Sequence, residues 1–213
     1  MRAALEATCR ALDLAATETQ IVALVRYLEL LERWNATYNL TAVRDPAEMR
    51  VQHLADCLAV ITPLRRQLAQ GRLLDVGSGG GLPGVVVAVM LPAVDVTCVD
   101  SVGKKAAFIR QAAGTLNLPN LRAVHSRIEN LREPSFDVVT ARAFASLAHF
   151  IALTRPCLLD ASGVWLAMKG RTPNDEIAAL APDIDVFHVE PLSVPGLDAQ
   201  RCLVWMRPRP TSP

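Results

Sequence analysis

The chain has 213 residues, of which 51% are hydrophobic and 20% are charged, and its formal net charge is +1. This size and composition predict one well-packed domain and exclude a disordered chain, and the near-zero charge excludes a protein that is basic throughout. The five cysteines are dispersed, which favours a reducing cytoplasm over a disulfide framework or a zinc site. The longest apolar run, residues 85–91, is far shorter than the ~20 residues that span a membrane, so we expect no membrane segment. Because the cysteines form no C-x-x-C pair and the histidines show no ligand spacing, we also expect no metal.

The first part of the chain, residues 1–65, is expected to form a helical layer. Apolar residues recur there at helical spacing, at Ile21, Leu24, Val25, Leu28 and Leu31. Thr17 with Gln20 resembles a capping box that opens this helix. Asp45 with Glu48 indicates a second helix start.

From residue 72 the pattern changes to short β-branched runs that alternate with helical stretches. The predicted strands are residues 73–76, 94–99, 121–124, 136–140, 164–168, 186–189 and 202–206. This alternation predicts a Rossmann-like α/β domain with a seven-stranded, mostly parallel sheet. The last two strands are expected to form an antiparallel edge. We expect the helical extension, residues 1–65, to pack on the domain of residues 66–213 as one compact unit.

The sharpest local feature is a glycine-rich loop in residues 74–84, between the first predicted strand and a predicted helix over residues 82–91. Glycines such as Gly77 and Gly79 allow a tight turn and let a ligand approach the backbone closely. Asp100 ends the second predicted strand, about 20 residues after the glycines, where an acid can accept ribose hydroxyls. The pair predicts a nucleoside cofactor at the carboxyl edge of the sheet.

Two cofactor classes fit such a loop, because residues 79–84 also satisfy the G-x-G-x-x-G pattern of nicotinamide enzymes. Asp75 argues against a nicotinamide, since dinucleotide binders usually keep an apolar strand running into the loop. Asp75 would instead hold the loop or reach the positive methionine end of S-adenosylmethionine. The chain also offers no obvious second domain for a hydride acceptor, so S-adenosylmethionine is favoured.

Polar residues that follow the later strands should reach the same edge. Ile128 could pack on an adenine and Glu129 could read its exocyclic amine, although the segment also fits an ordinary loop. Arg142 could contact the cofactor carboxylate or a substrate phosphate, and its plain alternative is a salt bridge. The same ambiguity holds for Lys169.

A local RNA surface would need exposed cations, most of which are equally explained as solvated charges. The candidates are Lys104, Lys105, Arg127, Lys169 and Arg201. The four histidines show no metal-ligand spacing and are each expected to be structural.

Several short motifs occur in one order along nearly the whole chain. They are residues 34–35, 38–41, 45–46, 53–56, 74–84, 100–105, 126–129, 142–147, 169–170, 175–177 and 194–198. Together this set resembles the bacterial RsmG (GidB) family, which methylates N7 of a guanine in 16S ribosomal RNA.

The resemblance implies a cytoplasmic enzyme that uses S-adenosylmethionine and acts on the decoding-region loop of 16S ribosomal RNA, free or in the small subunit. Separately, we expect the protein to be a monomer. It places Gly77 and Leu82 against the cofactor, Ile128 and Glu129 around its adenine, and Arg142 in the cleft. His53 gains a role in holding the N-terminal helices to the cleft. The open alternatives are a nicotinamide-dependent oxidoreductase and a catalytically silent RNA-binding protein.

Guanine N7 carries a free lone pair, so an attack on a sulfonium methyl group needs no prior loss of a proton. We therefore expect no general base and assign Arg142 a positioning role in catalysis.

Overall fold

The structure is a computed structural model, and it describes residues 1–131, 135–144, 146–160 and 162–209. The α-helices in these ranges are α1 (Arg2–Ala11), α2 (Glu18–Tyr38), α3 (Pro46–Met49), α4 (Asp56–Leu58), α5 (Ile61–Gln67), α6 (Gly84–Met90), α7 (Gly103–Thr115), α8 (Leu147–Thr154) and α9 (Asn174–Ala178). The strands are β1 (Gly71–Val76), β2 (Val94–Asp100), β3 (Leu121–His125), β4 (Val138–Arg142), β5 (Val164–Lys169), β6 (Ile184–Leu192) and β7 (Arg201–Pro208). A π-helix (Arg50–Ala55) joins α3 to α4, and short 3-10 turns follow β3 and α8.

The N-terminal helices begin where their caps predict. The Gln20 amide donates to Thr17 Oγ1 at 3.3 Å, and the Thr17 amide donates to Gln20 Oε1 at 2.9 Å, which completes the capping box of α2. The Glu48 amide donates to Asp45 Oδ1 at 2.8 Å at the start of α3. The chain then widens into the π-helix, a rare form that often occurs at functional sites.

The sheet has seven strands in the order β3-β2-β1-β4-β5-β7-β6. The first five strands pair in parallel, and β7 is antiparallel to both β5 and β6. The predicted Rossmann-like sheet and its antiparallel edge are thus confirmed. The strand order reverses between β1 and β4, and ligands of open α/β sheets bind beside the carboxyl ends at such a point.

Most strands begin or end one or more residues away from their predicted bounds, and β6, at Ile184–Leu192, extends furthest beyond its prediction of residues 186–189. Two boundary differences lie beside the sheet edge where a ligand would bind. The fourth strand is Val138–Arg142, because Arg142 still pairs with Met168, whereas Phe136 forms a separate bridge with Leu158. The helix after the glycine-rich loop begins at Gly84 rather than at residue 82, since turns occupy the preceding residues and Gly81 has a φ of +84°.

The N-terminal helices share a hydrophobic core with one face of the sheet. Leu24 and Leu28 of α2 are fully buried in the same cluster as Val85 and Val87 of α6 and Phe108 of α7. The opposite face packs against α8. One face of the sheet is therefore covered by helices from both predicted segments, residues 1–65 and residues 66–213.

We propose that residues 1–65 and 66–213 unfold as one cooperative unit, because they bury a common core. In native-state hydrogen exchange, amides of α2 and of β4 should open by the same global unfolding, with free energies that agree within about 1 kcal/mol. An opening free energy for α2 that lies several kcal/mol below that of β4 would show a separately folding layer.

Candidate functional site

Two cavities lie at the carboxyl ends of the central strands. The first cavity has a volume of about 490 Å³ and runs from the glycine-rich loop along β2 toward the turn after β3. The second cavity has a volume of about 630 Å³ and is enclosed by the loop, by the N-terminal layer and by the ends of β4 and β5. Among the residues that the structure describes, three line both cavities: Gly77, Arg142 and Ala143.

The glycine-rich loop is fixed from the side by Asp100. Gly77 and Gly79 have φ values of +67° and +56°, which favour glycine. The Gly79 amide donates to Asp100 Oδ2 at 2.9 Å, and the Val102 amide donates to Asp100 Oδ1 at 2.8 Å. Asp100 lines the first cavity, as the spacing predicts, but it also orders the loop, a role that sequence reasoning missed.

The loop is fixed from below by Asp75. This residue is fully buried, and its Oδ2 accepts from the Gly84 amide at 2.9 Å. Its buried Oδ1 has no hydrogen-bond partner within the described part of the chain. Asp75 approaches the Gly84 backbone closely, because a Cβ on Gly84 would lie 2.9 Å from Asp75 Oδ2 and would also clash with Cys98 Sγ. Asp75 is not among the residues that line either cavity, so its placement favours the loop-holding role over direct contact with a cofactor. Burial raises the pKa of Asp75 to about 6.

Helix α2 supports the loop from the opposite side. The Tyr27 hydroxyl, which is buried, donates to the Gly80 carbonyl at 2.6 Å. Leu31 Cδ1 lies 3.2 Å from the position of a Cβ at Gly80. The N-terminal layer therefore shapes the site directly.

The first cavity brings together the predicted nucleoside residues. Ile128 and Glu129, on the 3-10 turn after β3, both line it, together with Arg127 and Lys105. Lys104 is exposed and is not among the lining residues.

Phe144, which the sequence analysis did not single out, forms part of the wall of the first cavity. Ala143, directly after β4, has a φ of +54°, a conformation that non-glycine residues seldom adopt and that concentrates at functional sites. This turn brings Phe144 to the cavity wall, where its ring lies 3.6 Å from the position of a Cβ at Gly77. The next residue, Ala145, belongs to the predicted motif of residues 142–147 and lies outside the described residues.

The second cavity contains His53, which the π-helix carries. Its Nε2 lies 2.7 Å from Thr41 Oγ1, and its buried Nδ1 has no hydrogen-bond partner among the residues described here. Burial, and secondly the charge of Arg142, lower the pKa of His53 to about 4. The imidazole is therefore neutral near pH 7.

The cations of the second cavity are paired with acids. Arg142 Nη1 donates to the Gln52 carbonyl at 3.1 Å and lies 3.5 Å from Asp56 Oδ2, while Arg201 Nε donates to Asp56 Oδ1 at 2.8 Å. Lys169 Nζ lies 2.9 and 3.0 Å from the two carboxylate oxygens of Glu176.

Arg142 forms the salt bridge that was its plain alternative, and it also lines the cleft. Its contact with a cofactor carboxylate or a substrate phosphate stays a prediction. Burial alone would lower the pKa of Arg142, but acidic neighbours that include Asp56 raise it above its usual value. Sequence reasoning gave no role to Asp56 or Glu176 as partners of these cations.

The described part of the chain contains no helix long and apolar enough to cross a membrane. In the same residues, no group of three or more histidine, cysteine or acidic side chains is placed to hold a metal ion. The expected absence of a metal stays a prediction.

Solved structures with a similar fold include a protein described as a SAM dependent methyltransferase. The chain resembles a SAM dependent methyltransferase from Aquifex aeolicus with a TM-score of 0.55 and 15% identity, over 76% of this chain and 94% of that one. It resembles TrmN from Thermus thermophilus with a TM-score of 0.57 and 21% identity, over 71% of this chain and 48% of that one. The fold is the Rossmann-like fold of S-adenosylmethionine-dependent methyltransferases.

The family follows from the sequence relatives. The family model GidB, rRNA small subunit methyltransferase G, matches residues 20–204. Two relatives are named ribosomal RNA small subunit methyltransferase G. The protein of Acidovorax sp. (strain JS42) is 59% identical to this chain, over 96% of this chain and 94% of that protein. The protein of Leptothrix cholodnii is 60% identical, over 98% of this chain and 96% of that protein. The chain belongs to the rRNA small subunit methyltransferase G (GidB) family, which confirms the resemblance seen in its motifs.

The buried Asp75 carboxylate should make stability depend on pH. Its pKa rises from 3.8 to about 6 on folding, so its ionisation costs free energy that develops as the pH rises through this window. Asp75→Asn removes the ionisation. The free energy of unfolding of Asp75→Asn minus that of wild type should therefore grow by about 2–3 kcal/mol between about pH 4 and about pH 7.

Urea unfolding of both proteins across this pH range measures the difference. His53 titrates in both proteins, so its contribution cancels in the subtraction. A difference that stays constant with pH would show that Asp75 keeps an ordinary pKa.

Proposed function

We propose that this protein transfers the methyl group of S-adenosylmethionine to N7 of a guanine in 16S ribosomal RNA. The observation that carries the proposal is the meeting of two cavities at Gly77, Arg142 and Ala143. One cavity suits a nucleoside cofactor and the other suits a nucleotide of the substrate, so the reacting atoms would meet at the shared residues.

The first cavity fits S-adenosylmethionine. Its volume of about 490 Å³ lies within the range of small-molecule sites, roughly 300–1,000 Å³. Asp100 offers a carboxylate to the ribose hydroxyls, and Ile128 with Glu129 bounds the adenine. Gly77, without a side chain, leaves room for the cofactor to pass from this cavity toward the second one, where Gly79 and Leu82 form part of the wall.

The second cavity suits a guanine that has left its base stack. Proteins recognise RNA chiefly through such unstacked bases. Thr41 and the neutral His53 supply polar contacts, and Arg142, Lys169 and Arg201 supply positive charge toward the RNA backbone. Lys104, Lys105 and Arg127 extend the proposed RNA surface, with Lys104 and Arg127 exposed.

The residues of the chain act by positioning. When bound, S-adenosylmethionine supplies an electrophilic methyl group, and guanine N7 presents a lone pair that requires no base. Arg142 stands at the junction of the cavities and orients the substrate there. Such positioning is worth up to ~7–11 kcal/mol in ideal cases. His53, neutral and bonded to Thr41, fits a structural role better than that of a proton acceptor.

The family membership disfavours a nicotinamide-dependent oxidoreductase, whereas a silent RNA-binding protein would differ by failing to transfer methyl groups.

We propose that the enzyme works in the cytoplasm as a monomer, on 16S ribosomal RNA or the small subunit. Sedimentation would test the oligomeric state.

The decisive assay measures transfer of labelled methyl from S-adenosylmethionine to unmodified 16S RNA and to small subunits, followed by nucleoside analysis. We expect label in 7-methylguanosine. Label in another nucleoside would retain a methyltransferase but discard the guanine-N7 assignment. A lack of transfer to either substrate would reject the proposed activity.

The cofactor site can be tested separately with Asp100→Asn. Loss of the charge should weaken S-adenosylmethionine binding by about 10- to 100-fold in calorimetry, as hydrogen bonds to charged groups are worth ~1.5–3 kcal/mol. Asp95→Asn is the matched control, because Asp95 is exposed on the same strand at its other end. Equal affinities in the two variants would remove Asp100 from the cofactor site.

A further inference from the structure

Asp56 joins three segments that are distant in the sequence. It follows the π-helix at the start of α4 and is 3% exposed. Its Oδ1 accepts from Arg201 at the start of β7, and its Oδ2 faces Arg142 at the end of β4. One buried carboxylate therefore ties the N-terminal layer to two places on the sheet edge.

The two arginine contacts of Asp56 differ in length, which suggests that Arg201 and Arg142 have different roles. The bond to Arg201 is short, at 2.8 Å, whereas Arg142 Nη1 stands 3.5 Å away and also donates to the Gln52 carbonyl at 3.1 Å. Gln52 and Asp56 lie one helical turn apart, so together they form a single acceptor surface beneath the guanidinium. Arg201 in turn fixes the orientation of the carboxylate.

The charge balance of this cluster suits a nucleic-acid site. Two arginines share one carboxylate, so the cluster formed by Arg142, Asp56 and Arg201 keeps a net positive charge. The neighbouring Lys169 pairs with Glu176, and His53 is neutral near pH 7. The second cavity can thus hold its cations rigidly without losing its attraction for an RNA backbone.

We infer that Asp56 is a positioning residue for methyl transfer, which holds the Arg142 guanidinium at the junction of the two cavities through the carboxylate that Arg201 orients. The inference rests on the proposed function. Asp56 acts through Arg142, so its removal should matter for turnover only while Arg142 is present. A purely structural carboxylate would instead affect the folded fraction and the melting temperature.

The test is a double-mutant cycle on kcat, with saturating S-adenosylmethionine and 16S RNA or small subunits. Asp56→Asn should lower kcat by about tenfold or more and leave cofactor affinity within about threefold of wild type. In an Arg142→Ala background the same change should alter kcat by less than about twofold. Additive losses, or an unchanged kcat in Asp56→Asn, would overturn the inference.

A second pair of variants guards against misfolding, because removing one partner of a buried ion pair is strongly destabilising. Asp56→Asn/Arg201→Gln loses one charge of each sign and is compared with Arg201→Gln alone. We expect kcat of the double variant to fall below that of Arg201→Gln by the same factor by which Asp56→Asn lowers kcat of wild type. Asp56→Glu, which keeps the charge, should recover part of the kcat that Asp56→Asn loses. Melting temperatures measured in parallel give the folded fraction. If neither Asp56→Asn protein folds at the assay temperature, Asp56 is structural and the inference is wrong.

The two hypotheses fail in different ways. An inactive wild-type protein would reject the proposed function. An active wild type whose kcat does not depend on Asp56 through Arg142 would reject only the positioning role.

Discussion

The candidate site depends on the attachment of the glycine-rich loop to two carboxylates. Asp75 binds the Gly84 amide from below and Asp100 binds the Gly79 amide from the side, so the middle and the end of the loop are held by acceptors on adjacent strands. Glycines give the loop its left-handed turns but also make it costly to order. The two hydrogen bonds offset that cost. The loop can therefore expose bare backbone to both cavities without losing its shape.

The second cavity shows a different compromise, between charge and order. An RNA site needs cations, but long cationic side chains lose conformational entropy when they are fixed. Here each of Arg142, Arg201 and Lys169 has a carboxylate partner that fixes its position. Because Asp56 serves two arginines, the pairing leaves positive charge in excess. Preorganisation is thus achieved without neutralising the cavity.

Local patterns in the sequence account for the fold and for the cofactor side of the site. The alternation of strands and helices predicts the sheet, and the loop with Asp100 occupies one β-α-β unit, where spacing along the chain fixes distance in space. The pairing of Asp56 with Arg201 spans 145 positions, so no local pattern could predict it. Phe144 was missed for another reason, because it reaches the cavity only through the unusual φ of Ala143. The end of β4 was misplaced because an apolar run does not show where pairing with β5 stops.

The two sides of the site differ in how much the N-terminal layer contributes to them. The wall of the first cavity comes from the strand ends and the loops of the sheet domain, whereas Thr41, His53 and Asp56 of the second cavity come from the N-terminal layer. Tyr27 of α2 binds the Gly80 carbonyl, so this layer also contacts the loop that the cofactor would use. Changes at Thr41, His53 or Asp56 can alter the substrate side while the acids and glycines that suit the cofactor stay in place. A change at Tyr27, in contrast, would reach the loop as well. The shared residues set the limit of this independence, because Arg142 is held by the N-terminal layer and yet lines the first cavity.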